Sequence, residues 1–206
     1  MLKNVFTNLT ATYTQNNRLI QQLWSEIEIA YSHPKRHYHT LSHLEHLVAE
    51  LSIVKEQLQD WSTVLFSVFY HDIVYNPLRR DNEERSAAIA ENRLFTIDVP
   101  TTIIESCKTQ IMATKAHEHS DDGDVNLFTD ADLSILGQNE DKYKEYTLGI
   151  RKEYALYPDM IYKPGRKSVV QHFLQMDRIY KTESFFLKYE KQARQNLQRE
   201  LEEINI

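Results

Sequence analysis

A chain of 206 residues with 41% hydrophobic and 11% aromatic content can bury a real core as one domain. Its net charge of −6 argues against a broad nucleic-acid footprint. The single Cys107 excludes an intramolecular disulfide and a cysteine-ligated zinc site. No apolar run reaches the roughly 18 residues a membrane span needs. The start, Met1 to Asn8, lacks the charged and apolar blocks of a signal peptide, so a cytoplasmic protein is expected. Four Gly and five Pro are few for a sheet with many tight turns, and the balance leans helical.

In chain order, residues 16–31 carry Leu19, Ile20, Leu23, Trp24, Ile27, Ile29 and Ala30 at helix-like spacing, and Pro34 ends that segment. His33 to His39 reads as a polar loop. A helix is expected to begin near Thr40 or Ser42, with Ser42 and Glu45 at capping-box spacing. Leu44, Leu47, Val48, Leu51 and Val54 form its apolar face, which His43 shares with Leu47. Residues 61–74 are apolar on almost every side, which places that helix in the middle of a bundle, capped by Asp60 or Ser62 and broken by Asn76-Pro77. Asp81 is expected to cap a helix running to about Leu94, with Glu83 and Glu84 in its first turn. Pro100 starts another, in which Thr102 and Glu105 repeat the capping-box spacing.

Residues 117–126, with Asp121, Asp122, Gly123 and Asp124, read as a solvated loop. A short helix bearing Asp132, Leu133, Ile135 and Leu136 follows, closed by Gly137. Helices near 139–156, 167–180 and 182–203 complete an all-α chain.

Four residues carry the chemistry. His71-Asp72 is a histidine–aspartate doublet inside the most apolar segment, where an uncompensated charge is too costly to persist. With His43 upstream and Asp132 downstream it supplies two imidazoles and two carboxylates, a set suited to a divalent metal that accepts nitrogen and hard oxygen. Asp130 and Asp132 cannot face the same way on one helix, because two residues turn it by roughly 200°. One is expected to bind metal and the other to cap or hold a neighbouring group.

The ordered set resembles the HD-domain metal-dependent phosphohydrolases, whose pattern is His…His-Asp…Asp on an all-helical core. Tyr38-His39-Thr40-Leu41-Ser42-His43 resembles the Tyr-His-x-x-x-His segment of the cyclic-nucleotide phosphodiesterases, a distant branch. That likeness implies His43 as the ligand and His39 as proton donor to the leaving group. Ala131-Asp132-Leu133-Ser134 resembles the segment holding that branch's last metal-binding Asp, which favours Asp132 over Asp130. Tyr75-Asn76-Pro77 through Asp81 to Ala87 looks like a bacterial group of predicted HD phosphohydrolases. The likeness covers roughly residues 30–180 and implies one HD-type helical bundle over residues 1–206, flanked by terminal helices. The chain departs from the phosphodiesterase branch after the doublet. Ile73, Val74 and Tyr75 stand there, without that branch's further His, while His117 and His119 lie where several HD subgroups place extra histidines.

The expected function is hydrolysis of phosphate esters, on nucleotides or another small phosphorylated metabolite, through a metal-bound hydroxide. The metal would be Mn, Fe, Co, Ni, Zn or Mg, held by His43, His71, Asp72 and Asp132. His39 or His117 would protonate the departing oxygen. In the C-terminal third, Arg151, Tyr154 and Arg166 read either as an aromatic packing face with ion pairs or as a wall that meets phosphate and a ring or sugar. Glu83 and Glu84 read as surface acids or as carboxylates orienting a metal water. Neither a nucleic-acid polymer nor a membrane is expected as partner, and the sequence leaves the oligomeric state open. The alternatives are an HD-type di-iron oxygenase and a non-catalytic nucleotide-binding module.

Overall fold

The computed structural model describes residues 1–204. Among them are ten α-helices, two 3-10 turns and no strand. No helix of the described residues is long and apolar enough to cross a membrane. The chain resolves into two compact units, one up to Thr129 and one from Asp130 onward.

The first unit holds α1 (Leu2–Thr10), α2 (Asn17–Tyr31), α3 (Leu41–Ile53), α4 (Trp61–Tyr70), α5 (Asn82–Phe95) and α6 (Thr101–Ala113). The first turns of α7 (Gly123–Leu133) also belong to it. Helix α4 is the hub, because α1, α3, α5 and α6 all pack on it. That position follows from its sequence: every residue from Thr63 to Tyr70 is buried, as a helix apolar all round requires. The Asp60 carboxylate caps α4, accepting from Thr63 N at 3.0 Å. Asp124, in the first turn of α7, accepts from Gln59 N and Asp60 N at 2.8 Å each and so fixes where α4 begins.

Several local expectations need correction. α1 has no counterpart in the sequence reading, although Leu2, Phe6 and Leu9 bury one face of it. α4 ends at Tyr70 rather than 74, which puts His71-Asp72 in the turn that leaves it. α3 starts at Leu41 after Thr40 and α6 at Thr101 after Pro100, and neither has a side-chain cap bond. Asp81 does sit at the N-cap of α5, but its carboxylate pairs with Arg79 at 2.6 Å instead of the helix amides. The solvated loop is shorter than expected, because α7 begins at Gly123.

The second unit contains the last turn of α7, a 3-10 turn at Ser134–Gly137, α8 (Glu140–Glu153), α9 (Asp159–Gln175) and α10 (Glu183–Ile204). α10 packs on the 3-10 turn and on α9. Gly137 is needed for space rather than for a left-handed backbone: a Cβ there would sit 2.5 Å from the Tyr189 Cβ. α9 begins eight residues earlier than the expected 167 and includes Pro164. It stops at Gln175, and the segment after it is held by side chains. Glu190 accepts from Ile179 N at 3.0 Å and Tyr180 N at 3.2 Å. Arg194 donates to the Met176 carbonyl at 2.7 Å and the Asp177 carbonyl at 3.0 Å.

Candidate metal centre

His71 is the residue just past α4. Its amide still bonds Ser67 O at 2.9 Å, so the helix fixes its backbone, and its side chain is 1% exposed. Its ring Nδ1 lies 3.0 Å from the Val68 carbonyl oxygen. A carbonyl can only accept, so Nδ1 carries the proton and Nε2 of the neutral ring presents a lone pair. Two groups meet that nitrogen: His43 Nε2 and the Asp72 Oδ2, each at 3.2 Å.

His43 comes from the first turn of α3 and is 4% exposed. Its direction follows from the apolar face of α3, where Leu44, Leu47, Val48 and Leu51 are buried beside it. The Phe128 ring of α7 packs edge-on to His71 at 5.8 Å and closes another side.

Asp72 is held by its backbone. Its N–H donates to the Tyr31 hydroxyl at 3.1 Å, and its carbonyl accepts from Arg36 Nη1 at 2.7 Å. The carboxylate is 17% exposed. His39 Nε2 stands 3.8 Å from Asp72 Oδ2, equally exposed, with its ring stacked on Tyr75 at 4.0 Å and 30°.

This donor set fits a cation. A lone pair on His71 Nε2 facing a carboxylate oxygen brings two acceptors together, which is favourable only when positive charge stands between or on them. A proton shared with His43 supplies part of that charge, and a divalent metal supplies it fully while using the same nitrogen and oxygen atoms.

The structure gathers His39, His43, His71 and Asp72 in the first unit. Asp132 lies on the last turn of α7, half-buried. His117 follows α6 in a left-handed conformation, φ 53°, with its N–H bonded to Ala113 O at 2.9 Å. Glu84 pairs with Lys115 and stands on the exposed start of α5.

In the second unit Asp130 is fully buried and accepts from Lys181 N at 2.9 Å and from Thr182 N and Oγ1 at 2.7 Å each. The Lys181 ammonium lies 3.4 Å from Asp130 Oδ1. Burial lowers its pKa, and the charges of Asp130 and, more weakly, Asp132 oppose that shift.

The candidates for substrate contact are all engaged within their own unit. Arg166 is buried and grips Glu200 with two bonds, at 2.7 and 2.9 Å, while Tyr143 also donates to Glu200. Arg151 pairs with Asp159 at 2.6 Å, donates to the Tyr154 carbonyl at 3.1 Å and lies over the Tyr162 ring. Tyr154 packs against Tyr157 and Tyr162, and burial raises its pKa.

Two contributors, Tyr31 and Arg36, are absent from the sequence reading. Tyr31 continues the buried series Ile20, Leu23, Trp24 and Ile27 at helical spacing, a signal that was available. Nothing in the polar run from His33 to His39 distinguishes Arg36. No protein-family model, curated protein or solved structure matches this chain.

Proposed function

We propose that this protein is an HD-type metal-dependent hydrolase of phosphate esters that acts on nucleotides or another small phosphorylated metabolite. The observation that carries the reading is His71. Its Nδ1 lies 3.0 Å from the Val68 carbonyl oxygen, and its Nε2 meets both His43 Nε2 and the Asp72 carboxylate at 3.2 Å. His43, His71 and Asp132 each offer a ligand atom, and Asp72 adds a second carboxylate. Asp132 stands one turn beyond Phe128 on α7. Such a cation, when bound, acidifies water and offsets the charge of phosphate oxygens.

The protein's own part is positioning and proton transfer. His39 is the proton donor in this reading: its Nε2 stands 3.8 Å from Asp72 Oδ2, and the Tyr75 ring packs against its imidazole. A proton from His39 passes to the ester oxygen as its bond to phosphorus breaks, water oxygen bonds phosphorus in its place, and the proton that this water sheds restores His39. His117 is the second candidate for this donor.

The test is phosphate release by purified protein from nucleotides, sugar phosphates and nitrophenyl phosphate, with Mn, Mg, Co or Zn in turn. Metal-dependent turnover that a chelator removes supports the reading. Two irons per chain with a charge-transfer band and no phosphatase activity would replace it with oxygenation. Tight nucleotide binding without turnover would replace it with a binding module.

A further inference from the structure

Arg36 lies in the loop between α2 and α3, is 9% exposed, and touches two segments distant in sequence. Nη1 donates to the His39 carbonyl at 3.2 Å and to the Asp72 carbonyl at 2.7 Å, and Nη2 donates to the Ile73 carbonyl at 3.0 Å. Its guanidinium carbon is 4.7 Å from the Tyr31 ring centroid and 5.6 Å from that of Tyr75. We infer that Arg36 is a positioning residue that fixes His39 and Asp72 relative to each other. The inference rests on the reading of those two residues as parts of one site.

The physical case is one of geometry. His43 and His71 are held by helices α3 and α4, whose backbone ladders set their places. His39 and Asp72 have no such support, since both lie outside regular helix. A loop carbonyl and two turn carbonyls instead converge on one planar, permanently charged fork. The same two tyrosines serve both partners. Tyr31 binds the guanidinium and accepts from Asp72 N, and Tyr75 contacts the guanidinium and stacks on His39. The His39–Asp72 separation of 3.8 Å is therefore set by contacts that pass through Arg36. A lysine keeps the charge but cannot hold carbonyls in several directions within one plane.

The test compares Arg36→Lys and Arg36→Met with wild type by amide hydrogen exchange, manganese affinity and steady-state kinetics. Exchange should accelerate in residues 36–40 and 71–75 together, while α3 and α4 remain protected. Manganese affinity should fall by roughly 10- to 100-fold, the usual cost of losing an outer contact to a ligand. kcat should fall with KM little changed, and the lysine should recover only part of each loss. Millimolar guanidinium added to an Arg36→Ala protein should restore manganese affinity where equal sodium chloride does not. Faster exchange confined to residues 36–40, with wild-type manganese affinity, would overturn the inference. A wild type that binds no manganese would instead defeat the proposed function, and the joint exchange of the two segments would still decide the role of Arg36.

Discussion

Thr182 donates to the Asp130 carboxylate twice, from its backbone N–H and from its hydroxyl, each at 2.7 Å. Lys181 N adds a third bond, so Asp130 is committed to holding the chain where α10 begins. Asp132, two residues on, points roughly 200° away around the helix. Asp130→Ala should cost about 3 kcal/mol of stability, since it strands several buried donors, and should leave metal affinity largely intact. Asp132→Ala should do the opposite. Denaturant melts and metal titrations on both variants check this, and exchanged outcomes would shift the ligand by two residues.

Asp72→Ala should abolish tight metal binding and turnover while leaving a folded helical protein. The backbone of residue 72 is held by Tyr31 and Arg36, so the turn does not depend on the side chain. The affinity loss should exceed roughly 100-fold, beyond what an outer contact supplies. Circular dichroism with metal analysis reads both halves, and full metal content in the variant would remove Asp72 from the ligand set.

His43→Ala and His39→Ala should fail differently. His43 lies against His71 Nε2, so its loss should weaken metal binding. His39→Ala should keep the metal and lower turnover by roughly 100- to 10,000-fold. That defect should shrink with nitrophenyl phosphate, whose leaving group needs little protonation, and stay large with an alkyl phosphate. Equal defects on both substrates would mean that His39 positions rather than donates.

Cys107 is buried in α6, and burial pushes its thiol from 9.0 up to about 12. The neutral thiol is therefore favoured by folding. Its contribution to stability is intact below pH 9.0 and is lost between 9.0 and about 12, as the unfolded chain releases a proton that the folded chain keeps. Buried Tyr70 and Tyr180, also raised, act in the same direction. Melting temperature should fall across that window, and less steeply in Cys107→Ala. A thiol reagent at neutral pH should label the protein only after unfolding.

The sequence made α4 legible because nothing but a central position tolerates a helix apolar on every side. It made His43 legible because the residue shares a face with Leu47, which is buried. The choice between Asp130 and Asp132 could be framed from helical rotation, but the partner of Asp130 lies more than fifty residues away and left no local trace. Arg36 was hidden for the same reason, since its three acceptors include Asp72 and Ile73, far along the chain. Gly137 was legible as a stop but not in its cause, which is the approach of Tyr189. α9 begins before the expected 167 and accommodates Pro164 and Gly165 within its length.

The most direct measurement is equilibrium binding of a divalent metal to the metal-stripped protein, read by calorimetry with elemental analysis, for wild type and His71→Ala in parallel. Wild type should bind the metal tightly and stoichiometrically and regain phosphatase activity in proportion to bound metal, and His71→Ala should lose both. Phosphatase activity that persists in the stripped protein, or metal bound equally well without His71, would contradict it.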